Sequence, residues 1–140
     1  MIMSREIKFR VFVDNKMFYQ DKYNAYSDNL ASIDICKKTI TINSFYNYED
    51  VYRFEDEEVK LMQYTGLNDK NGKEIYENDL IACNKHKNIV VFFEGGCFKV
   101  KYLRNSTTTI TCTLNSFLEK YKCKISGNIY EYPELPEENN

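Results

Sequence analysis

The sequence predicts a mainly β protein with one or two short helices. Three observations support this class: β-branched and aromatic residues are abundant, short alternating segments recur, and turn-forming residues separate them. The chain has 140 residues, of which 43% are hydrophobic and 15% aromatic, including twelve Tyr and nine Phe. This length and composition are those of a folded domain with its own core, and not of a disordered chain.

The N-terminal half opens with a predicted β-hairpin. Apolar and polar side chains alternate in residues 5–13, residues 14–16 are turn formers, and residues 17–19 are again apolar. A further short strand is predicted at residues 38–42, where the β-branched sequence KTITI occurs. We expect strands such as 5–13 and 38–42 to be sheet edges that pair across subunits, because an exposed edge favours self-association.

Two polar segments of this half follow no single pattern. Residues 24–35 are interpreted as loop or as a poor helix. Residues 46–58 hold six acidic residues and one Arg, and neither the helical nor the strand period fits them. This acidic segment is interpreted as a solvated face. The alternative is a patch that mimics nucleic-acid phosphates and occupies a basic partner.

The C-terminal half carries short strands joined by tight turns. The predicted strands are residues 59–65, 75–76, 80–83, 89–93 and 97–103. Between them lie Asn, Asp and Gly residues, which tolerate the positive φ angles of tight hairpin turns. Residues 89–93 (IVVFF) do not alternate, which predicts a strand that is central or buried on both faces. So many short strands within about 45 residues predict a small, strongly bent barrel.

One helix and one last strand follow. Apolar residues recur at helical spacing from Leu114 to Tyr121, which predicts a helix over residues 113–122. Alternation then predicts a strand at residues 125–129. Residues 132–140 form an acidic, flexible tail that we expect to be frayed.

The charge distribution points to no single partner. The net charge is −2 at pH 7, whereas dedicated nucleic-acid-binding domains usually carry an excess of Lys and Arg. Residues 61–127 nevertheless hold 10 basic and 6 acidic residues between two net-acidic flanks. The N-terminus lacks the apolar core of a signal peptide, and no segment approaches the length of a membrane span. We therefore expect a cytoplasmic protein without a membrane partner.

The sequence lacks the residue groupings that most catalysis and metal binding require. Its five Cys include no C-x-x-C pair, so we interpret them as free, mostly buried thiols. The one His, His86, lies between two Lys and is interpreted as a solvated loop side chain. Residues 69–79 superficially resemble a calcium loop but miss its spacing. We predict no enzymatic activity, no catalytic residues, no metal and no cofactor.

The most polar stretch is LMQYTGLNDKNGKEIYENDLI at residues 61–81. Its carboxylates flank turns, where they can accept hydrogen bonds from backbone N–H groups that a bent chain leaves unpaired. These carboxylates belong to Asp69, Glu74, Glu77 and Asp79. Tyr64 and Tyr76 can each pack a ring and direct a hydroxyl to such a carboxylate. The stretch is interpreted as a structural brace for the corners of the barrel.

Three blocks of the chain resemble the YopX family, small proteins encoded by phages and prophages of low-GC Gram-positive bacteria. The blocks are REIKFRVF at residues 5–12, the stretch at 61–81, and SGNIYEYPEL at 126–135. Their order and spacing are similar to those of the family along nearly the whole chain. Asn78 stands where the family commonly has Gly, which is consistent with a turn residue at positive φ.

The resemblance implies a fold and a setting but supplies no catalytic group. It implies an SH3-like barrel element in the C-terminal half, with the N-terminal β-hairpin packed on it. We expect one YopX-like domain over residues 1–131, made of an N-terminal part (1–58) and the barrel with its helix (59–131), followed by the tail (132–140). The resemblance also implies self-association, here as a homo-oligomer, in the cytoplasm of a bacterial host cell.

A set of positions matches the family's motif and is interpreted as structural, with an interaction surface as the alternative. These positions are Gln63, Tyr64, Thr65, Gly66, Asp69, Gly72, Glu74, Tyr76, Asp79, Gly127, Asn128, Tyr130 and Glu131. The expected function is that of a phage accessory protein that binds a host or phage protein. The alternative is an SH3-like nucleic-acid-binding module. Its expected contacts are Lys85, Lys87, Lys99, Lys101, Tyr102 and Arg104.

Overall fold

The chain folds mainly into β-strands, as the sequence predicts. The structure, a computed structural model, describes residues 5–20, 28–44 and 49–135. Within these ranges there are twelve strands and one helix. Residues 7–63 make up an N-terminal unit, and the described residues from 64 onwards, with residues 5–6, make up a C-terminal unit. The domain limits expected from the sequence stay predictions.

The N-terminal unit is built from antiparallel strands around an apolar core. Its strands are β1 (Phe9–Val13), β2 (Lys16–Tyr19), β3 (Asn29–Asp34), β4 (Thr39–Asn43) and β5 (Glu49–Arg53). A longer strand, β6 (Lys60–Asn68), starts in this unit and pairs there with β1, which also pairs with β2. A second sheet has the order β3-β4-β5. The core consists of Val11, Val13, Leu30, Ile40, Ile42 and Val59.

The predicted hairpin is confirmed at β1 and β2. Its turn residues, Asp14 and Asn15, have φ angles of 52° and 61°, as a two-residue hairpin turn requires. The Asp14 carboxylate also accepts a hydrogen bond of 2.6 Å from the Tyr52 hydroxyl. This bond, followed by partial burial, raises the pKa of Tyr52 to about 12. The Tyr52 hydroxyl therefore stays protonated at pH values well above the usual pKa of a tyrosine.

Two strands lie where the sequence pattern is ambiguous. β3 occupies residues 29–34, so the loop and the helix interpretations are both wrong there; residues 24–27 lie outside the described residues. β5 occupies residues 49–53 of the acidic segment, whose residues 46–48 also lie outside the described ranges. Both strands form because β4 lies between them and supplies backbone partners on each side. This non-local pairing overrides a weak local preference.

The strands expected to be edges are interior strands. β1 is paired on both sides, by β2 and β6, and β4 is paired on both sides, by β3 and β5. The prediction that residues 5–13 and 38–42 are edges that pair across subunits is therefore wrong, because the backbone hydrogen-bonding groups on both sides of β1 and β4 already have partners within the chain. In the part of the chain that the structure describes, β5 is an edge of its sheet, and its Val51 is 64% exposed.

The C-terminal unit contains a curled, half-barrel sheet and one helix. Its elements are β7 (Glu74–Tyr76), β8 (Asp79–Ala82), β9 (Ile89–Glu94), β10 (Cys97–Leu103), β11 (Thr109–Thr113), α1 (Leu114–Lys120) and β12 (Lys124–Asn128). The sheet order β11-β10-β9-β8-β12 makes β9 central, as predicted. Ile89 and Val91 on one face are buried, whereas Val90 and Phe92 on the other are only partly buried, so β9 is central without being buried on both faces. The SH3-like detail stays a prediction.

The other predicted elements of this unit are confirmed with two differences. β6 continues through Gly66 to Asn68, and its second half pairs with β7. The Thr-rich strand β11 is not predicted, and it forms because it pairs with β10 along its whole length. The predicted helix is α1, and Thr113 caps it because its Oγ1 accepts a 3.1 Å hydrogen bond from the Ser116 N–H.

An aromatic-rich core holds the helix against the sheet. Phe117 of α1 is 2% exposed, and its ring centroid lies 5.1 Å from that of Tyr102 and 4.9 Å from that of Tyr121. Such ring pairs add to the stabilisation that burial of apolar area supplies. The buried members of this core are Ile75, Ile81, Ile89, Val91, Val100, Tyr102, Leu114, Phe117 and Cys123.

Gly127 in β12 is a position that favours glycine on two grounds. Its φ is +155° at an irregularity of the β8–β12 pairing, and a Cβ there would lie 2.9 Å from Cδ2 of Tyr132. We expect Gly127→Ala to lower the free energy of unfolding by about 1–3 kcal/mol, because it adds both backbone strain and a steric clash. Urea unfolding followed by circular dichroism measures the loss.

Gly66→Ala is the matched control for this prediction. Gly66 has a φ of +84°, and an added Cβ would meet nothing within 4 Å. Gly66→Ala should therefore lower the free energy of unfolding by about 1 kcal/mol, from backbone strain alone. Adding Tyr132→Ala to Gly127→Ala should recover the stability lost to the steric clash but not the stability lost to backbone strain. Equal losses at the two glycines, with no recovery in the double variant, would show that the clash is unimportant.

Candidate functional site

The motif residues brace turns of the C-terminal unit, and Asp69 is the clearest example. Its side chain is 8% exposed. Oδ1 accepts backbone hydrogen bonds from Asn71 and Lys73 at 2.8 and 2.9 Å, and Oδ2 accepts one from Ile125 at 3.0 Å. Because Ile125 belongs to β12, Asp69 joins the central block to the last strand. The predicted role of this carboxylate, to accept otherwise unpaired backbone N–H groups, is confirmed.

The same contacts decide the protonation state of Asp69. Burial is the largest influence and raises the carboxyl pKa, but the backbone hydrogen bonds from Ile125, Lys73 and Asn71 oppose it, with help from the Lys73 ammonium. Together they hold the pKa of Asp69 below its ordinary value of 3.8. Asp69 is therefore a stable anion that orders the turn. It is not poised to exchange a proton near neutral pH.

A second corner is organised by Asn78 and Asp79. Asn78 has a φ of 69°, so this position adopts the left-handed conformation expected from the resemblance. The Asn78 N–H donates to the Val91 carbonyl at 2.7 Å, and the Asn78 carbonyl accepts from Ile129 at 3.1 Å. Asp79 is 1% exposed and accepts from the Tyr76 N–H at 2.8 Å. These bonds connect β7, β9 and the chain after β12 at one corner.

One contact of the predicted tyrosines is with a carboxamide. The Tyr64 hydroxyl donates to Oδ1 of Asn68 at 2.6 Å, and the predicted contacts of Tyr64 and Tyr76 with carboxylates stay predictions. The rings of Tyr64 and Tyr76 pack with their centroids 5.6 Å apart. The Thr65 hydroxyl donates to the Ile75 carbonyl at 2.7 Å. These contacts hold β6 against β7.

The C-terminal block forms a braced turn of its own. Asn128 is 5% exposed, and its Oδ1 accepts from the backbone N–H groups of Tyr130 and Glu131 at 3.1 and 2.9 Å. Its Nδ2 donates to the Glu131 carboxylate at 2.6 Å. Nδ2 of Asn78 donates to the Tyr130 hydroxyl at 3.2 Å. The central and C-terminal blocks of the motif are therefore bonded to each other.

The remaining motif positions lie in the same strands and turns. Gly66 and Gly72 have φ angles of +84° and +83°. Gln63 lies in β6, and Glu74 opens β7. The contacts described for the motif are internal to the fold and agree with its interpretation as a brace. Its alternative interpretation as an interaction surface stays a prediction.

A basic groove lies on the C-terminal unit, next to the loop after β8, the end of β10 and the end of α1. We call it the aromatic groove, and its volume is about 680 Å³. It is lined by Lys85, His86, Tyr102, Leu103, Arg104, Ile110, Lys120 and Tyr121. Three of these residues are cations and three carry aromatic rings. None of the lining residues that the structure describes is acidic.

Two closed loops carry two of the three cations of this groove, and Lys120 lies at the end of α1. The Cys83 N–H donates to the His86 carbonyl at 2.8 Å, which closes the loop that carries Lys85. The Arg104 N–H donates to the Thr108 carbonyl at 2.8 Å, which closes the loop that follows β10. Short surface loops on a rigid sheet are a frequent location for binding residues.

His86 is buried, so its interpretation as a solvated side chain is wrong. It is 9% exposed, and its ring centroid lies 4.7 Å from that of Tyr102, 5.3 Å from that of Tyr121 and 6.0 Å from that of Phe117. An imidazole packs well here because tilted and edge-to-face ring contacts are favourable. His86 therefore belongs to the inner wall of the aromatic groove.

A second basic groove, the lysine groove, lies beside the first and has a volume of about 470 Å³. It is lined by Lys70, Ala82, Cys83, Asn84, Lys87, Asn88, Lys122, Lys124 and Ser126. Four of these are Lys, and again no described lining residue is acidic. Residues 83–88 and 120–124 contribute side chains to both grooves. The two grooves are therefore neighbours and together present seven basic side chains.

The comparison with protein-family models decides the family. The model described as YopX protein matches residues 8–137, nearly the whole chain. The chain belongs to the YopX family. The comparison with curated proteins gave no match.

A solved structure is similar to this YopX-family protein along almost its full length. It is the crystal structure of protein EF1440 from Enterococcus faecalis, with a TM-score of 0.51 and 22% sequence identity. The alignment covers 96% of this chain and 100% of that chain. At this identity the likeness concerns the fold alone, and the β-rich class is confirmed by it.

In this YopX-family protein, most of the residues predicted to contact nucleic acid line one of the two grooves. They are Lys85, Lys87, Tyr102 and Arg104. Lys101 is exposed on β10 outside both sets of lining residues. Nζ of Lys99 lies 3.6 Å from the Glu94 carboxylate. The predicted set is therefore brought together only in part.

Sequence reasoning missed the contribution of the helix end to these grooves. Lys120 and Tyr121 line the aromatic groove and Lys122 lines the lysine groove. The sequence KYK, in which two Lys flank a Tyr, is a usable signal for nucleic-acid contact. The signal is masked because Tyr121 also completes the apolar periodicity of the helix.

Neither a metal centre nor a membrane helix is seen in the described ranges. Among residues 5–20, 28–44 and 49–135, no group of three His, Cys, Asp or Glu side chains could hold a metal ion. In the same ranges no helix is long and apolar enough to cross a membrane. The expectations of no cofactor and no enzymatic activity stay predictions.

All five Cys are free, as predicted. Only Cys123 is fully buried, however, while Cys36 is exposed and the other three are intermediate. The expectation of mostly buried thiols is therefore wrong. Position explains the difference: Cys36 lies in the turn before β4, and Cys83 and Cys112 pack at the margin of the C-terminal core, where they stay partly exposed.

Proposed function

We propose that this YopX-family protein is a non-enzymatic binding protein whose C-terminal unit holds single-stranded nucleic acid along its two basic grooves. The aromatic groove carries the proposal. There three cations and three rings surround the same space of about 680 Å³, with no acidic residue among the described lining residues. A single strand needs this combination, because cations meet its phosphates and ring faces meet its unstacked bases.

Tyr121 is the ring best placed to meet a base. It is partly exposed, whereas Tyr102 is 7% exposed. Nζ of Lys120 lies over the face of the Tyr121 ring, 5.4 Å from its centroid. A base that stacks on this face displaces the Lys120 ammonium to the edge of the ring, where it can meet the adjacent phosphate. A duplex hides its base faces, so these contacts favour a single strand.

The net charge of −2 does not oppose this proposal. Residues 64–127 hold 10 basic and 6 acidic residues. Two of those six, Asp69 and Asp79, are buried and bonded to backbone N–H groups. The excess of acidic residues lies in residues 7–63 and 128–140. Attraction of a charged ligand depends on the local potential of a groove more than on the sum over the chain.

Fluorescence anisotropy with a labelled oligothymidylate of about fifteen nucleotides tests the proposal. We expect binding at about 50 mM salt, with a log–log salt slope of about −5 if all seven groove cations contact phosphates. The combined substitution Lys85→Gln, Arg104→Gln and Lys120→Gln should reduce that slope by about 2 and weaken binding by about tenfold or more.

The matched control removes three exposed cations of the N-terminal unit. Lys37→Gln, Lys38→Gln and Arg53→Gln change the net charge by the same amount, and all three side chains lie outside the grooves. We expect this variant to change affinity by less than about twofold. No binding by the wild type at low salt, or equal losses in the two variants, would refute the proposal. Tighter binding to a duplex of matched length would refute its single-stranded form.

A second candidate function is protein contact through β5. This strand is an edge in the described part of its sheet, Val51 is 64% exposed, and its neighbours Glu49 and Asp50 are exposed as well. Unpaired strand edges accept a strand from a partner. We propose that β5 pairs with a second copy of the chain or with a host or phage protein, in the bacterial cytoplasmic setting that the family suggests.

Sedimentation of the purified chain tests the homo-oligomer first. We expect an oligomer that Val51→Lys converts to a monomer, because the added charge opposes edge pairing. Ile35→Lys is the control, since Ile35 is 67% exposed but lies in the turn between β3 and β4. A wild-type monomer at high concentration would remove self-association, and an oligomer that Val51→Lys leaves intact would place the contact elsewhere.

A further inference from the structure

Two of the five Cys lie opposite each other across a pair of strands. β8 and β12 are antiparallel, with Ala82 opposite Lys124 and Ile81 opposite Ile125. Continuing this register by one residue sets Cys83 opposite Cys123. The Cys83 thiol is near enough to help raise the pKa of the Cys123 thiol. No sequence pattern announces this pair, because forty positions separate the two Cys along the chain.

The backbone hydrogen bonds identify the geometry of the pair. The Cys83 N–H donates outward to the His86 carbonyl at 2.8 Å, and the Cys123 carbonyl accepts from the Lys70 N–H at 2.9 Å. Neither bond joins the two Cys, so they form a non-hydrogen-bonded pair. In such pairs the Cα atoms are about 4.5 Å apart, at the short end of the disulfide range of about 4.4–6.8 Å. The strands therefore need little movement to accept a disulfide.

We propose that Cys83 and Cys123 form a dithiol site that a low-molecular-weight disulfide oxidises to an intramolecular disulfide. The Cys83 thiolate attacks one sulfur of the small disulfide, a mixed disulfide forms, and the first small thiol leaves. Cys123 then loses its proton to solvent and attacks Sγ of Cys83. The second small thiol leaves with the electron pair of the broken bond. Two protein thiols are oxidised and one small disulfide is reduced to two thiols.

The environments of the two Cys assign the order of attack. Cys83 is partly exposed and lines the lysine groove, so a small disulfide can reach it. The Lys side chains of that groove attract an anionic oxidant such as oxidised glutathione. Cys123 is 1% exposed, and burial, followed by the neighbouring Cys83, raises its pKa to about 12. It therefore reacts second, with a sulfur already held beside it.

The other Cys do not share this arrangement. Cys112 on β11 lies opposite Val100, and Cys97 on β10 lies opposite Glu94. Cys36 is exposed in the turn before β4, where it can form disulfides between molecules. Cys36→Ser therefore provides a suitable background for the test, and Cys97→Ser provides a matched control.

The test treats the full chain, in the Cys36→Ser background, with excess oxidised glutathione. We expect the intact mass to fall by two hydrogens, the thiol count of the denatured chain to fall by two, and peptide mapping to join the peptides of Cys83 and Cys123. Dithiothreitol should reverse all three changes. The midpoint of thermal unfolding should rise by about 5 °C or more, because the bond closes a long loop.

Two single variants separate the steps. Cys123→Ser should stop at a glutathione adduct on Cys83, and Cys83→Ser should gain neither an adduct on Cys123 nor a disulfide. Cys97→Ser should behave like the background. A stable glutathione adduct in the background chain, an unchanged mass, or a disulfide to Cys97 or Cys112 would each overturn the proposal.

Discussion

Replacement of Asp69 by Asn is expected to lower the free energy of unfolding by about 2–4 kcal/mol. Oδ1 of the amide can keep the hydrogen bonds from Asn71 and Lys73, but Nδ2 then faces the Ile125 N–H, donor against donor. One buried donor loses its partner, and the remaining bonds lose the charge that strengthens them. Urea unfolding followed by circular dichroism measures the loss.

The effect of Asp69→Asn should depend on pH in one direction. Because the pKa of Asp69 in the folded chain lies below its ordinary value, the stabilisation by its ionised form is complete at neutral pH and is lost as pH falls through the folded-state pKa. Asn does not titrate. The difference between the wild type and Asp69→Asn should therefore be constant above about pH 5 and shrink below about pH 4.

Glu94→Gln is the control for charge alone. It removes one carboxylate from the same unit, but the Glu94 side chain is 68% exposed and its contact is an ion pair of 3.6 Å with Lys99. We expect its effect to stay within about 0.5 kcal/mol at neutral pH. An Asp69→Asn variant no less stable than Glu94→Gln, or a difference that grows as pH falls, would contradict the bracing role of Asp69.

Local chemistry made the turns of this protein predictable from the sequence. Asp14, Asn15 and Asn78 all adopt positive φ, as do Gly95 and Gly96 in the β9–β10 hairpin. These residue types tolerate the left-handed region, so their positions between alternating apolar segments already indicate where the chain reverses. The strands beside these turns were predicted for the same reason, since a fixed turn sets the register of its hairpin.

Non-local pairing produced the elements that the sequence did not predict. β3, β5 and β11 are polar and lie at sheet edges in the described residues. An edge strand buries little apolar surface, so its sequence shows weak alternation, and its conformation depends on the neighbouring strand. The erroneous edge assignment of residues 5–13 and 38–42 has the same cause, because the neighbours that make β1 and β4 interior were not recognised.

The candidate site was predictable for residues of β10 and the loop after it, and for Lys85 and Lys87 of the loop after β8. Tyr102 and Arg104 could be grouped because alternation on β10 and the loop after it were readable. His86, Lys120 and Tyr121 join them only through tertiary packing, in which α1 brings its last turn beside the loop after β8. A histidine between two lysines gives no local sign that its ring points inward, which explains why its burial was missed.

The aromatic core behind the groove should show a large response to Phe117→Ala. Phe117 is 2% exposed and its ring contacts those of Tyr102, Tyr121 and His86. We expect a loss of about 3–5 kcal/mol in the free energy of unfolding, from lost burial and the cavity left behind. Urea unfolding measures it. Because the chain has no Trp, the near-ultraviolet circular dichroism signal of its Tyr residues should weaken as well.

Two further variants separate the ring contacts from stability in general. Leu118→Ala alters the next residue of α1, which is only partly buried at the margin of the same core. It should lower the free energy of unfolding by less than Phe117→Ala does and leave the near-ultraviolet Tyr signal intact. Phe117→Leu keeps an apolar side chain and a folded protein, at a cost of about 1–2 kcal/mol. If the Phe117 ring orders the groove wall, Phe117→Leu weakens the Tyr signal and the binding of oligothymidylate together. An unchanged Tyr signal in Phe117→Leu would mean that the sheet alone orders Tyr102 and Tyr121.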